Sequence, residues 1–168
     1  MLSFDKRAVE AKAAVVDAVL PADDSVWQAS DAVPAGPLKV TGRLSAAGSG
    51  RFYWHGKVEG DLVIPCRRCL TDAKVHVHDE SHVIFAEEGS DETDDPDVQV
   101  LDERSNVIDL RSTVREQWLL NAPKYVVCRE DCKGLCPTCG KDLNEGACDC
   151  PATRDTRWDA LHKVKMKD

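Results

Sequence analysis

The sequence predicts an α+β protein: an antiparallel β-sheet forming a barrel-like core, one helix packed on it, and a C-terminal Cys-rich zinc ribbon. Three observations carry that expectation. Apolar and polar residues alternate over much of residues 38–86, one helical stripe follows near residue 110, and all eight cysteines fall into four close pairs. The expected divisions are a β core over 1–125 with its helix at about 109–121, a zinc-ribbon-like module over 126–150, and a basic tail over 151–168 with short helical character around Trp158, Leu161 and Val164.

Taken in order, the first residues carry two patterns. Ala8, Ala11, Val15 and Val19 have helical spacing, while Val15, Val16, Val19 and Leu20 before Pro21 suit the end of a strand. The reading adopted is a short helix to about residue 11 and then a strand. Three prolines and many small polar residues make Pro21 to Pro37 mostly irregular. Leu38, Val40 and Leu44 then alternate with Lys39, Thr41 and Arg43, the period of a half-buried strand. After the turn Ala47 to Gly50, Phe52, Trp54, Val58, Leu62 and Ile64 share one parity, with Gly56 and Gly60 expected at bends or bulges. A third strand region runs from Lys74 to about Ala86 on Val75, Val77, Val83 and Phe85, interrupted by Asp79 and Ser81. Val98 to Leu101 and Val107 to Ile108 read as short strands. Asp109 is placed to N-cap a helix through about Asn121, whose stripe is Leu110, Val114, Trp118 and Leu119 and which ends before Pro123.

The cysteines form Cys66-x-x-Cys69, Cys128-x-x-x-Cys132, Cys136-x-x-Cys139 and Cys148-x-Cys150. Eight thiolates divide into two four-sulfur sites, the donor set of closed structural zinc centres. Pro137 fixes the backbone between Cys136 and Cys139, and Gly140 suits the positive φ of a tight knuckle. Between Cys128 and Cys150 the clearly apolar side chains are Leu135, Leu143 and Ala147. Metal therefore has to replace a core there, and structural zinc supplies about 10–16 kcal/mol in finger peptides. The most economical arrangement joins Cys136, Cys139, Cys148 and Cys150 locally and brings Cys66 and Cys69 to Cys128 and Cys132 across the fold; the spacings also admit cross-braced pairings. Disulfides are the competing use. Residues 1–10 carry Asp5, Lys6, Arg7 and Glu10 without a long apolar stretch, so the expectation is a reducing cytoplasm in which paired thiols bind metal. A redox Cys-x-x-Cys at Cys66 would need a βαβ setting that the pattern lacks.

At 168 residues the chain is long enough to bury about 70 % of its unfolded surface. Its net charge of −8 comes largely from seven acids between Glu87 and Asp97, expected to form a solvated loop, and the rest is nearly neutral. No apolar run approaches the length of a membrane span. That balance argues against nonspecific phosphate gripping. Local patches remain: Lys39, Arg43, Arg51, Tyr53, His55 and Lys57 share the outward parity of two strands, and Arg67 and Arg68 lie in the first knuckle. His76, His78, Glu80 and His82 also share a parity and mimic a metal face, but the polar side of a half-buried strand accounts for them once the cysteines are assigned metal. Acids at Asp23 with Asp24 and Asp102 with Glu103 read as loop residues, not a catalytic pair.

Three stretches resemble one family. They are Gly56-Lys57-Val58-Glu59-Gly60 leading to Cys66-Arg67-Arg68-Cys69-Leu70; Ile108-Asp109-Leu110 through Val114-Arg115-Glu116 to Leu119-Leu120 and Pro123; and Cys132 to Asn144, reading Cys-Lys-Gly-Leu-Cys-Pro-Thr-Cys-Gly-Lys-Asp-Leu-Asn. The chain resembles the large-subunit ribosomal RNA accumulation proteins with a YceD-like domain, over roughly residues 38–150, in the form that carries the C-terminal cysteine cluster. The resemblance implies a non-enzymatic, zinc-stabilised factor in accumulation or processing of large-subunit ribosomal RNA, with that RNA or a large-subunit ribosomal protein as partner. It supplies no catalytic residues. Lys39, Arg43, Arg51, Tyr53, Lys57, Arg67 and Arg68 are the residues expected to meet RNA or a partner. An interaction module touching protein only, and a thiol redox or hydrolytic enzyme, are the competing classes. No membrane or small-molecule substrate is expected.

Overall fold

The computed structural model describes residues 1–48, 50–87, 98–102 and 104–151. The acidic run from Glu88 to Asp97, Glu103 and the tail from 152 onward, with its expected helix, lie outside the described residues. In chain order the elements are β1 (Ser3–Asp5), α1 (Lys6–Ala11), β2 (Ala14–Leu20), β3 (Leu38–Ala46), β4 (Arg51–Pro65), β5 (Asp72–Glu87), β6 (Val98–Leu101), β7 (Val107–Asp109) and α2 (Arg111–Asn121).

Alternation builds the main sheet. β2, β3, β4 and β5 pair successively and antiparallel, and the β4–β5 hairpin runs in unbroken register from Arg51↔Ala86 to Pro65↔Asp72. Its inner parity buries Leu38, Val40, Leu44, Phe52, Trp54, Val58, Leu62, Val77 and Phe85. Each such side chain contributes about 1.5–3 kcal/mol by leaving water. Against this face α2 packs Val114 and Trp118, with Leu110 and Ile108 just before it.

Several expectations are corrected. The sheet is mixed, because β6 joins β5 in parallel, and its linear order β2-β3-β4-β5-β6 leaves it open, not closed as a barrel. A second, two-stranded ribbon pairs β1 with β7, fixing the N-terminus beside the start of α2. Among the described residues two helices form: α2 packs on the sheet, and the expected short helix to residue 11 is α1, capped by the Asp5 carboxylate accepting from the Ala8 amide. The α2 boundary residue is Leu110 and lacks a side-chain cap; Asp109 ends β7 and accepts instead from the Arg111 amide and guanidinium. Glu87, expected in the acidic loop, closes β5 and receives the ammonium of the buried Lys6 at 3.1 Å.

Gly56 and Gly60 make no bulge. A Cβ on Gly56 would lie 1.9 Å from Trp54 Cζ2, and one on Gly60 would lie 2.3 Å from Leu38 Cδ2. These positions are empty so that large side chains can lie across the strand. The segment 21–37 is irregular as expected, yet it is pinned to α2. Trp118 Nε1 donates to the Ala32 carbonyl at 2.7 Å, and the Arg115 guanidinium grips the Asp31 carboxylate at 2.6 and 2.8 Å. No helix among the described residues is long and apolar enough to cross a membrane.

Candidate metal centres

The turn between β4 and β5 contains the first knuckle. Cys66 N–H donates to the Thr71 carbonyl at 2.8 Å, and Leu70 N–H donates back to the Cys66 carbonyl at 2.9 Å. The C-terminal segment repeats this pattern: Cys136 N–H to the Lys141 carbonyl and Gly140 N–H to the Cys136 carbonyl, both 2.9 Å. In each loop the residue after the second cysteine is left-handed, Leu70 at φ 63° and Gly140 at φ 73°. Gly140 is the residue type that conformation favours, whereas Leu70 adopts it against its Cβ.

Cys128 and Cys132, reached through the end of α2, fold onto the first knuckle. The Arg67 amide donates to the Val126 carbonyl at 2.8 Å and the Leu135 amide to the Arg68 carbonyl at 3.0 Å. Arg68 does not project freely, since its guanidinium donates to the carbonyls of Cys132 at 2.8 Å and Glu130 at 3.3 Å. Gly134, at φ 74°, passes so close that a Cβ would meet the Arg68 carbonyl at 2.9 Å. The result is a quartet of Cys66, Cys69, Cys128 and Cys132 whose sulfurs all lie within 4.8 Å of one another. Cys136, Cys139, Cys148 and Cys150 form a second quartet by the same measure. These are the economical groupings of the sequence reading.

The donor chemistry fits a tetrahedral thiolate-bound ion. Sulfur separations of 3.9 Å for Cys66–Cys132 and 3.6 Å for Cys69–Cys128 match the edge of about 3.8 Å that follows from a Zn–S bond of about 2.3 Å, and are far from the ~2.05 Å of a disulfide. All eight cysteines are free thiols. Outer-shell donors are in place: the Arg68 amide reaches Cys66 Sγ at 3.4 Å, Asn144 Nδ2 reaches Cys132 Sγ at 3.5 Å, and Thr71 Oγ1 lies 2.9 Å from Cys69 Sγ. Asn144 also accepts from the Lys133 amide at 2.9 Å, so it braces the stretch joining the two quartets.

Electrostatics sharpen the fit. Burial works against the Cys66 thiolate, but the Cys69, Arg68 and Cys128 amides aimed at its sulfur bring it down to about 6. The Cys139 and Thr138 amides, with the Cys148 thiol, bring Cys136 down to about 6. Loss of water and the neighbouring Cys69 thiol push Cys128 up to about 12, and the Cys139 thiol followed by loss of water does the same to Cys150. Four thiolates so close would repel; a divalent cation held by them would remove that cost and release the retained protons.

Between the quartets only an isolated bridge, Leu135↔Asp142, has strand character among the described residues, so no regular ribbon sheet forms there. The other site residues of the sequence reading lie elsewhere. Lys39, Arg43, Tyr53 and Lys57 share the outer face of the main sheet, with Arg43 paired across to His55 and Thr41 to Lys57. Arg51 begins β4, partly buried. Arg67 is exposed on the knuckle and sits over the Tyr125 ring, 5.8 Å from its centroid. Tyr125 and Thr71 escaped the sequence reading, and Asn144 entered it only as the end of a motif, because a lone Tyr, Thr or Asn gains meaning only from what folds against it.

Residues 54–165 match the family described as large ribosomal RNA subunit accumulation protein YceD. Protein YlbN of Bacillus subtilis (strain 168) is 29% identical over 143 residues, spanning 83% of this chain and 80% of YlbN. The proteins Mb2951c of Mycobacterium bovis and Rv2926c of Mycobacterium tuberculosis are each 34% identical over 110 residues, or 63% of this chain and 52% of theirs. The chain thus spans about half the length of those mycobacterial relatives. No solved structure matches. The matched segment contains most of β4, the first knuckle and both cysteine quartets; the chain belongs to the YceD family of large ribosomal RNA subunit accumulation proteins.

Proposed function

We propose that this chain is a non-enzymatic factor of large-subunit ribosome assembly, acting in the cytoplasm, whose knuckle and C-terminal ribbon are each held by one structural zinc ion. The observation that carries the reading is the extent of the family match: it takes in most of the β4–β5 hairpin and both quartets together. The zinc ions serve as clamps, filling all four positions with sulfur and leaving none for substrate. The protein holds ribosomal RNA on the outer sheet face and the adjoining knuckle. There, Lys39 and Arg43 are exposed on β3, Tyr53 lies beside them on β4, and Arg67 with the exposed Tyr125 forms a cation–π pair suited to stacking an unpaired base.

Crosslinking and recovery of the full chain from cells at controlled salt tests the reading. Large-subunit ribosomal RNA is expected in the bound fraction, with affinity falling as salt rises by a logarithmic slope of about −0.7 per phosphate contact, and Arg43→Ala together with Arg67→Ala flattening that slope. Absence of every large-subunit component overturns it.

A second reading, contact with a ribosomal protein alone, is favoured by two features. Sheet-face cations are already paired, Lys57 with Glu80 at 3.2 Å and Lys74 with Asp61 at 2.9 Å. Edge strand β2 also exposes Val15 and Val19, 83% and 55% accessible. Binding that is insensitive to salt and to both arginine substitutions selects this reading.

A further inference from the structure

Outside the cysteine quartets, metal-ligating side chains meet once more among the described residues, on the outer face of the main sheet. The β4–β5 register sets His55 directly opposite His82 and Lys57 opposite Glu80. Glu80 and His82, two residues apart on β5, share that face. The two imidazoles are nearly parallel, with centroids 4.3 Å apart and planes at 10°. His55 Nε2 lies 2.6 Å from Glu80 Oε1, and ligand atoms of His55, Glu80 and His82 all fall within 4.8 Å of one another.

Outer-shell contacts orient two of the three, Glu80 and His82. Lys57 Nζ holds the other carboxylate oxygen, Oε2, at 3.2 Å, so that Oε1 is the oxygen turned toward His55. His82 Nδ1 is hydrogen-bonded to the Tyr53 hydroxyl, and the Tyr53 ring stacks beside that imidazole at 5.9 Å. With Nδ1–H donating to the phenol oxygen, the His82 Nε2 lone pair is free to ligate, the arrangement typical of metal-bound histidine. The neighbouring histidines lack this completeness. His76 meets Asp61 at 3.0 Å much as His55 meets Glu80, but its ring centroid is 6.3 Å from that of His78 and, among the described residues, no third ligand atom joins them.

We propose that His55, Glu80 and His82 form a third, exchangeable site for a divalent transition-metal ion, distinct from the two cysteine quartets. Two imidazoles and one carboxylate suit zinc, nickel or cobalt and do not suit calcium or magnesium, which require oxygen shells. Three protein ligands leave at least one position for water or an anionic oxygen, and the partial exposure of His55 and Glu80 makes the ion free to come and go. This site stands independently of the ribosomal reading: failure to bind RNA leaves it untouched.

The test uses the full chain, saturated with zinc at its cysteines and freed of excess metal, then titrated with further Zn²⁺ by calorimetry while side-chain nitrogen resonances of the histidines are followed by NMR. One additional equivalent is expected, shifting His55 and His82 but not His76 or His78. Losing even an outer-shell partner of a bound metal costs about 10- to 100-fold in affinity, so His55→Asn, His82→Asn and Glu80→Gln should each weaken this equivalent by more than about tenfold. Retention of the cysteine-bound zinc in each variant verifies that the fold survives. No additional equivalent, an equivalent that perturbs His76 and His78 instead, or one indifferent to all three substitutions overturns the proposal.

Discussion

Cys128 and Cys139 offer a matched pair of perturbations. Both are exposed, and each is one of four sulfurs in its quartet, so Cys→Ser at either removes one ligand and little packing. The chain that an ion in each quartet would close differs greatly. Cys128 meets Cys69 across a separation of 59 residues, spanning β5, β6, β7 and α2, whereas Cys139 shares its quartet with Cys148 at the far end of a short local loop. Treating each ion as a cross-link, loop-closure entropy gives about 4 kcal/mol for the long loop and about 2.6 kcal/mol for the short one. The two losses also fall in different places. Cys128→Ser unfastens α2 and the C-terminal segment from the β4–β5 turn, so the core itself should lose about 4 kcal/mol, or roughly 8–16 °C in Tm for a domain of this size. Cys139→Ser opens only the segment after Cys136 and should leave core unfolding within about 1 kcal/mol of the parent. Thermal unfolding followed by tryptophan fluorescence at buffered free zinc is the assay, because Trp54 and Trp118 are both buried in the core. Equal shifts for the two variants, or a larger one for Cys139→Ser, would refute the assignment of the first quartet as the long-range clamp.

Further expectations follow from the same geometry. Gly56→Ala should destabilise by about 1–3 kcal/mol in urea unfolding, because the Trp54 ring has to move from a methyl placed 1.9 Å away; adding Trp54→Leu should recover part of that loss, and simple additivity of the two would contradict the packing account. The thiols held near 12, Cys128 and Cys150, keep their protons at pH 7.5, whereas Cys66 and Cys136 near 6 have lost theirs, so zinc uptake should release at least one proton per ion. Calorimetry in buffers of different ionisation enthalpy measures that release, and affinity should fall further once pH drops below about 6. The Arg115 guanidinium and the Gln28 amide hold the Asp31 carboxyl below its ordinary range, so its stabilisation is present above about pH 4 and disappears as acid protonates it. Asp31→Asn should therefore be less stable than the parent at pH 7 and indistinguishable from it in strong acid; a gap independent of pH would exclude the ion pair as its source.

Strand content was legible wherever alternation ran long, as in Leu38 to Leu44 and Phe52 to Ile64, because one buried and one solvated face impose a period of two. The three-residue β1 was not, since its pairing with β7 is made by residues a hundred positions away. Nor was the parallel placement of β6, which local pattern does not encode. Gly56 and Gly60 were misread as bulges because their purpose depends on where Trp54 and Leu38 put their atoms. The cysteine groupings were legible through spacing and chain order, while the supports from Arg68, Thr71 and Asn144 emerge only when the loops meet. The parity of Glu80 and His82 was visible in sequence, but their partner His55 depends on the register of the hairpin that the first knuckle closes.

Two zinc ions, each in four sulfurs, are expected to hold the knuckle and the C-terminal segment of this fold. Zinc K-edge X-ray absorption on the purified full chain, with metal content measured on the same sample, tests this most directly. The account predicts two zinc ions per chain and a first shell of sulfur alone at about 2.3 Å. Fewer than two ions, or nitrogen and oxygen in the shell of metal retained after removal of excess zinc, would contradict it.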